Sequence, residues 1–301
     1  MKRVVWAVDL GGTKIAVACV DAAGRITHRL TAPTPREGGK TVVETIARIL
    51  GKLPRTGVGA IGVAVPGLVR SGGSVWAPNI AGWNRMPLPL MLGRRFDLPV
   101  VVESDRNACV VGEAWKGAAQ RARDVIFIAI GTGVGAGILS GGRLIRGRWE
   151  LAGCVGWMSV RERFLPPYEF SGCLESHVAG PAIAAAARRV FRRAVSTEEV
   201  VRLARRGDPQ ARAVLARAGH NFGVALANLV SVLNPELIVV GGGFAAAGKF
   251  LLDPAREEMI RWAQPLATRQ VRIVRSRLGA SAALIGVARF ALMKLEGTPT
   301  L

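Results

Sequence analysis

The chain has 301 residues, 50% of them hydrophobic and 21% charged, with 41 Lys and Arg against 21 Asp and Glu and a formal charge of +20. That length exceeds the usual single-domain size, so two lobes of roughly 120–170 residues are expected. Arg, Asn or Asp interrupts every apolar stretch before it reaches the roughly 18 residues needed to cross a bilayer, which excludes a membrane-spanning reading.

Alternating apolar residues over Val4–Leu10, Ile15–Val20 and Arg25–Leu30, broken by Gly11-Gly12 and Asp21-Ala22-Ala23-Gly24, predict an antiparallel meander. The basic start Met1-Lys2-Arg3, cut off by Asp9 with no small-residue cleavage site, reads as the entry to the first strand and not as a signal peptide. A helix over Thr41–Lys52, strands over Gly59–Val65 and Val100–Glu103, and a helix over Arg106–Lys116 complete a first lobe. The pattern then restarts, with strands over Val125–Ile130, Gly135–Leu139 and Arg143–Ile145, followed by an irregular stretch to Gly172. Helices follow over Pro181–Phe191, Thr197–Arg205, Pro209–Leu233 and Pro254–Trp262, with strands at Leu237–Val240 and Val271–Val274. A last helix over Ser281–Leu295 is expected to pack back on the first lobe. The division is thus residues 1–118 with 281–301, and 119–280. A strand, glycine turn, strand sequence in both halves points to a duplicated β-β-β-α-β-α unit.

Two features of composition bear on partners. Cys19, Cys109, Cys154 and Cys173 lack close spacing, which fits a reducing, cytoplasmic setting without disulfides. The Arg-rich stretch Arg188–Arg217 admits polyanion binding, but Arg188, Arg189, Arg192 and Arg193 recur opposite Ile183, Ala187, Val190 and Phe191, as on a solvated amphipathic helix. No specific nucleic-acid partner and no membrane partner is expected.

Chemistry concentrates at the glycine turns. Asp9-Leu-Gly-Gly-Thr-Lys14 and Ile130-Gly-Thr-Gly-Val-Gly-Ala-Gly137 each sit between apolar strands. In such turns glycine lets the backbone bend tightly, and successive N–H groups with a Thr hydroxyl converge on an anion. Two facing turns would grip a polyphosphate between the lobes. Neither has the GxxxxGK[ST] spacing, and Asp9 at the end of the first strand suits a hydrated Mg²⁺ beside the phosphates.

These residues together resemble the ROK family of sugar kinases and repressors, within the actin, Hsp70 and hexokinase superfamily. Val8–Lys14 resembles the family's first phosphate motif, Ile130–Gly137 its second, and Leu237–Gly243 its adenosine motif. Val65-Pro66-Gly67, Pro78–Trp83 and Glu103–Ala108 resemble its sugar-cleft segments. The resemblance implies an α/β, two-lobed actin-like ATPase (ribonuclease H-like) fold with an interdomain cleft, ATP and Mg²⁺ as cofactors, a sugar or polyol acceptor, and a homodimer. The family's repressors carry a helix-turn-helix ahead of the first motif; Asp9 lies close to Met1, so the repressor function is not expected.

By this resemblance Asp105 is the catalytic base, which phosphoryl transfer to a hydroxyl requires. Its position before a helix also suits an N-cap. Asp9 serves Mg²⁺, directly or through water, or else stabilises its turn. Gly11, Gly12, Thr13, Thr132 and Gly133 offer amides and hydroxyls to the phosphates, and Gly242 and Gly243 allow close approach of the nucleoside. On the acceptor side Gly67, Asn79 and Glu175 match sugar-contacting positions, although Glu175 equally suits a helix-capping role.

The sequence departs from the family at its AGExGH segment, which here reads Ala152-Gly153-Cys154-Val155-Gly156-Trp157. The sugar-contacting Glu becomes Cys154, the zinc-binding His becomes Trp157, and Cys173 alone survives of three zinc-motif cysteines. One thiol cannot make a tetrahedral zinc site, so no zinc is expected. Trp157, Phe164, Pro166, Pro167, Tyr168 and Phe170 are read as an apolar plug in its place, with Tyr168 needing a hydroxyl partner. Ser104 stands where the family usually has Asn. With Cys154, it removes hydrogen bonds that would fix a pyranose, so ordinary glucokinase specificity is not expected. Trp157 would stack on a sugar face or fill its space, and Glu150 is a candidate replacement carboxylate. The leading expectation is an ATP- and Mg²⁺-dependent carbohydrate kinase. The alternatives are a polyphosphate-dependent sugar kinase and a catalytically weak nucleotide or sugar sensor.

Overall fold

The structure, a computed structural model, describes residues 4–70, 72–243 and 247–298. The basic start Met1–Arg3 and the end of the 281–301 segment, Pro299–Leu301, lie outside the described residues.

Two five-stranded sheets carry the fold. In the first, β1 (Val4–Leu10), β2 (Lys14–Asp21) and β3 (Ile26–Pro33) form the antiparallel meander. β4 (Val58–Val65) pairs in parallel with β1. A short hairpin follows, β5 (Leu68–Val69) with β6 (Val75–Trp76), and then β7 (Val100–Ser104) adds beside β4 for the order β3-β2-β1-β4-β7. The second sheet comprises β8 (Val125–Ile130), β9 (Val134–Ser140), β10 (Arg143–Leu144), β11 (Leu237–Gly241) and β12 (Arg272–Arg275), in the order β10-β9-β8-β11-β12. With the small hairpin set aside, the two orders are the same, third-second-first-fourth-fifth, as duplication of one unit requires.

The helices are α1 (Gly39–Leu50), α2 (Leu88–Phe96), α3 (Asp105–Lys116), α4 (Tyr168–Ser171), α5 (Glu175–Val178), α6 (Gly180–Phe191), α7 (Thr197–Arg205), α8 (Pro209–Leu233), α9 (Lys249–Trp262), α10 (Pro265–Gln270) and α11 (Ala282–Glu296). No described helix is long and apolar enough to cross a membrane. By contact the chain forms two compact units. Met1–Arg123, Gly137–Ala152 and Ser276–Leu301 make one; Asp124–Ala136 and Gly153–Arg275 make the other. Gly137–Ala152 therefore belongs to the first unit, whereas the division read from sequence puts it in the second lobe.

In the first unit, the period-2 pattern of β1 sorts its side chains onto two different faces. Trp6, Val8 and Leu10 join Ile46 and Leu50 of α1 and Leu88 and Leu92 of α2. Val5 and Ala7 face Leu284, Val287, Ala288 and Ala291 of α11, with Ala16, Ala18, Ala60 and Ala64 beside them. The second face is lined by small residues, which brings a helix close to the sheet. A Cβ on Gly62 would lie 2.6 Å from the Val287 carbonyl oxygen, and one on Gly286 would overlap the Ala108 carbonyl of α3. Larger residues there would cost about 1–3 kcal/mol in overpacking. Glu113, fully buried on α3, holds the turn leading into α11 by accepting from Ser276 Oγ at 2.5 Å and Leu278 N at 3.0 Å.

In the second unit, β8 and β11 are nearly all apolar and buried, as parallel neighbours covered on both faces must be. α8 packs along α9 where Gly219 and Gly223 leave room for the carbonyls of Leu251 and Ala255.

Several elements differ from the sequence reading. α2, α10, the β5–β6 hairpin and the one-turn helices α4 and α5 are additions to it. α9 begins at Lys249, ahead of Pro254, which sits inside the helix. In α6, Ile183 and Ala187 are buried as expected, but Val190 is 42% exposed and the helix ends at Arg192 in a left-handed conformation, φ 54°. The apolar stripe is thus one turn shorter than expected.

Candidate active site

The parallel strands β1, β4 and β7 bring their carboxyl ends to one edge of the first sheet. Asp9 pairs with Ala64, and Ala64 with Glu103, so Asp9 and Asp105 stand at that edge with one strand between them, about 10 Å apart at strand spacing. Open sheets bind ligands at such edges. The two carboxylates feel each other. Burial first, and then the Asp105 charge, raise the Asp9 pKa from 3.8 to about 6 against the opposing charges of Arg29 and Lys14. Burial also raises Asp105, against its backbone hydrogen bond and the neighbouring Arg106 charge.

Asp105 is not a helix cap. Ser104 occupies the N-cap position without a side-chain cap bond, and Asp105 opens α3 with Oδ1 accepting from the Arg106 N–H at 2.7 Å. A helix N-terminus should favour a carboxylate anion; desolvation outweighs it.

The first glycine turn closes on itself. Gly11 N donates to Lys14 O at 2.9 Å, Thr34 Oγ to Gly11 O at 2.7 Å and Thr34 N to Thr13 O at 3.0 Å. Gly12 and Thr13 are left exposed. Asn79, also exposed, adjoins the turn, its Cβ lying 4.0 Å from where a Cβ on Gly12 would stand. Gly67 follows β4 at the same edge, where the Trp76 carbonyl crosses so closely that a side chain would collide with it.

An ionic network around the buried Glu103 underlies this edge, and sequence reasoning misses it. Glu103 Oε1 accepts from Ser104 N at 2.8 Å and Asn107 Nδ2 at 3.0 Å, while Oε2 pairs with Arg146 at 2.5 Å. Arg146 also reaches Glu150 at 3.4 Å, and the Glu150 carbonyl accepts from Arg106 Nη2 at 2.9 Å. Glu150 holds a left-handed φ of 60° and its carboxylate faces Arg146, which engages the group considered as a replacement for the carboxylate lost at Cys154. Ser104 Oγ, Arg106 Nε and Asn107 Oδ1 are buried beside Asp105 without hydrogen bonds of standard geometry. Such atoms each cost about 1–3 kcal/mol unless a ligand or solvent pairs them.

The second unit holds the second turn. Gly131 N donates to Gly133 O at 2.9 Å, and Thr132 is exposed. Gly242, at φ 84°, lies against Ile130, where a Cβ would overlap the carbonyl. Only glycine fits there, which brings the expected adenosine motif to this turn; Gly243 follows, exposed. Glu175 opens α5 and accepts from Val134 N at 2.7 Å through Oε2. Burial raises its pKa against that bond. The acceptor or capping role expected of Glu175 leaves out this contact with the second glycine turn.

The segment expected to form an apolar plug does so only in part. Tyr168 is 5% exposed, but Trp157, Phe164 and Phe170 are 57, 68 and 83% exposed. Phe164 meets Tyr168 edge-on at 5.9 Å. Tyr168 finds its hydroxyl partner in His177 Nε2, 2.7 Å away. Trp157, Phe164, Tyr168 and Cys173 line a cavity of about 300 Å³. Among the described residues no three His, Cys, Asp or Glu side chains cluster to hold a metal.

Comparison with known proteins agrees with this architecture. The ROK family model matches residues 5–294. The chain is 32% identical to a glucokinase of Halalkalibacterium halodurans over 93% of its own length and 92% of that protein. It is 28% identical to an N-acetyl-D-glucosamine kinase of Escherichia coli, over 94% and 97%. The crystal structure of a ROK family glucokinase from Streptomyces griseus, in complex with glucose and AMPPNP, matches with a TM-score of 0.84 and 32% identity, covering 96% of this chain and 99% of that one. The duplicated sheets, the glycine turns and these matches together assign the chain to the sugar-kinase branch of the ROK family, with its actin-like ATPase fold.

Proposed function

We propose that this chain transfers the γ-phosphoryl group of ATP to a hydroxyl of a sugar or sugar-like acceptor, with Asp105 as general base. The observation that carries the reading is the pair Asp9 and Asp105 at the carboxyl edge of a parallel sheet, both held above the ordinary carboxylate range by burial. A raised pKa makes Asp105 a better proton acceptor. In the transfer, the acceptor oxygen bonds to phosphorus as the bond to ADP breaks, and the hydroxyl proton passes to Asp105.

Mg²⁺, when bound, supplies charge neutralisation on the phosphates. The residues fit such an ion: Asp9 is a hard oxygen donor whose buried charge a cation relieves. A single carboxylate, with no cage of acidic side chains among the described residues, suits an ion that keeps its waters and substrate phosphates. Gly11, Gly12 and Thr13 in one turn, and Thr132 and Gly133 in the other, offer phosphate contacts, with Gly242 and Gly243 for the nucleoside.

For the acceptor we assign Gly67, Asn79, Ser104, Trp157 and Glu175. Ser104 Oγ, buried without a hydrogen bond of standard geometry, supports its role, since an acceptor hydroxyl there would complete its bonding. Ser104 is shorter than Asn and Cys154 lacks a carboxylate, so glucose is not expected to be the preferred acceptor. No zinc is assigned to the Trp157–Cys173 segment. The test is an acceptor screen of hexoses, N-acetylhexosamines and polyols with ATP and Mg²⁺. Phosphorylation of one class supports the kinase. Tight ATP binding without turnover on any polyhydroxy compound would favour a sensor instead.

A further inference from the structure

We propose that Tyr168 and His177 form a clasp that sets Glu175 against the second glycine turn, so that both are positioning residues for the donor phosphates. The proposal rests on the reading that the Gly131–Val134 turn binds those phosphates. α4 and α5 are one-turn helices of 4 residues each, too short to persist on their own, so their placement depends on side-chain contacts. Tyr168, the single tyrosine of the chain, opens α4 and is buried. Its hydroxyl meets His177 Nε2 at 2.7 Å, and the two rings stand edge-on at 5.7 Å. Burial, with Arg161 and Arg217, holds the His177 pKa below its usual value, which favours the neutral imidazole; in the tautomer with its proton on Nδ1, Nε2 accepts a hydrogen bond from the phenolic O–H. Ser171 and Ser176 meet at 2.9 Å, and Leu174 N donates to Met158 O at 3.1 Å, closing the same loop.

α5 delivers this placement to the turn. Glu175, two residues before His177, packs its carboxylate between Gly133 and Gly156, where Cβ atoms would stand 2.8 and 3.1 Å from Oε2. That fit leaves little slack, and the bond to Val134 N depends on where α5 sits. Immediately after α5, Gly180 N donates to Gly131 O at 2.8 Å, so the same segment holds both ends of the turn. Without the clasp α5 is free to shift, and a turn no longer preorganised binds phosphates more weakly.

The test measures binding of a nonhydrolysable ATP analogue with Mg²⁺ and no acceptor, alongside steady-state kinetics. Loss of one positioning hydrogen bond in Tyr168→Phe is expected to weaken analogue binding by about three- to tenfold, raising KM for ATP while kcat at saturating ATP stays within about twofold. His177→Leu should show the same loss, and His177→Gln, which keeps a hydrogen-bonding group, should recover most of it. Because the clasp acts through Glu175, adding Tyr168→Phe to Glu175→Ala should weaken binding no further. If Tyr168→Phe melts too low to assay, the two His177 variants decide the matter. Wild-type affinity in Tyr168→Phe and His177→Leu would overturn the clasp. Failure of the wild-type protein to bind the analogue would remove the phosphate reading itself, and the proposal with it.

Discussion

The two glycine turns come from the same position in two sheets of the same strand order, yet they are supported differently. The Gly11–Lys14 turn is closed by its own backbone and by Thr34, and the carboxylate at its base, Asp9, has no cationic partner within hydrogen-bonding distance among the described residues and is held in charged form at a cost. The Gly131–Val134 turn is braced from outside by Glu175 and Gly180, on a segment between β10 and α8 that has no counterpart of similar length in the first repeat. Duplication preserved the sheets. The added segment turned one of two similar turns into a supported structure, while the first kept a destabilised carboxylate where a cation is useful.

That contrast makes opposite demands on the two acids. Asp9→Asn should reduce the rate with MgATP by about 10–100-fold, the usual cost of losing a group that holds a metal through its second shell. It should also stabilise the fold. With a folded pKa raised from 3.8 to about 6, the stability associated with Asp9 is full below pH 3.8, falls as the pH rises to 6, and stays low above it. Asparagine removes that loss, so denaturant unfolding at pH 7 should show a gain on the order of 1–3 kcal/mol that disappears near pH 4. A loss of stability at pH 7 would break the comparison.

Glu175→Ala should act in the other direction. It leaves the Val134 N–H unpaired and should cost about 1–3 kcal/mol in thermal or chemical unfolding, at pH 7 and below. Glu175→Gln, which still accepts a hydrogen bond, should recover most of this. An equal loss in both variants would mean that charge, and not the hydrogen bond, holds the turn. The smallest effect concerns metal: prolonged chelation should leave the melting temperature unchanged, and metal analysis of the purified protein should find no stoichiometric zinc. A marked drop on chelation would show that the Tyr168 and His177 region depends on an ion.

Much of the sheet framework is legible in the sequence because period-2 apolar runs and glycine turns are local signals. β1 through β4, β8, β9 and β11 lie close to their expected ranges, and the strand-end position of Asp105 can be read directly. α2 escapes such a reading because Pro87 and Pro89 surround its start and mask an apolar face that only the core reveals. α9 reads too short because Pro254 looks like a helix start. The Glu103 to Arg146 pair and the Tyr168 to His177 contact join residues on separate segments, and no spacing rule connects them. Gly242 reads as one of a weak glycine run; its necessity comes from the Ile130 carbonyl, which only the folded second sheet brings there.

The decisive experiment on the phosphoryl-transfer reading is Asp105→Asn, assayed with ATP and the best acceptor from the screen. The expected result is a fall in kcat of about 10²–10⁴-fold with acceptor KM little changed, as for loss of a general base whose site otherwise stays intact. Transfer by the variant at the wild-type rate would refute Asp105 as the base.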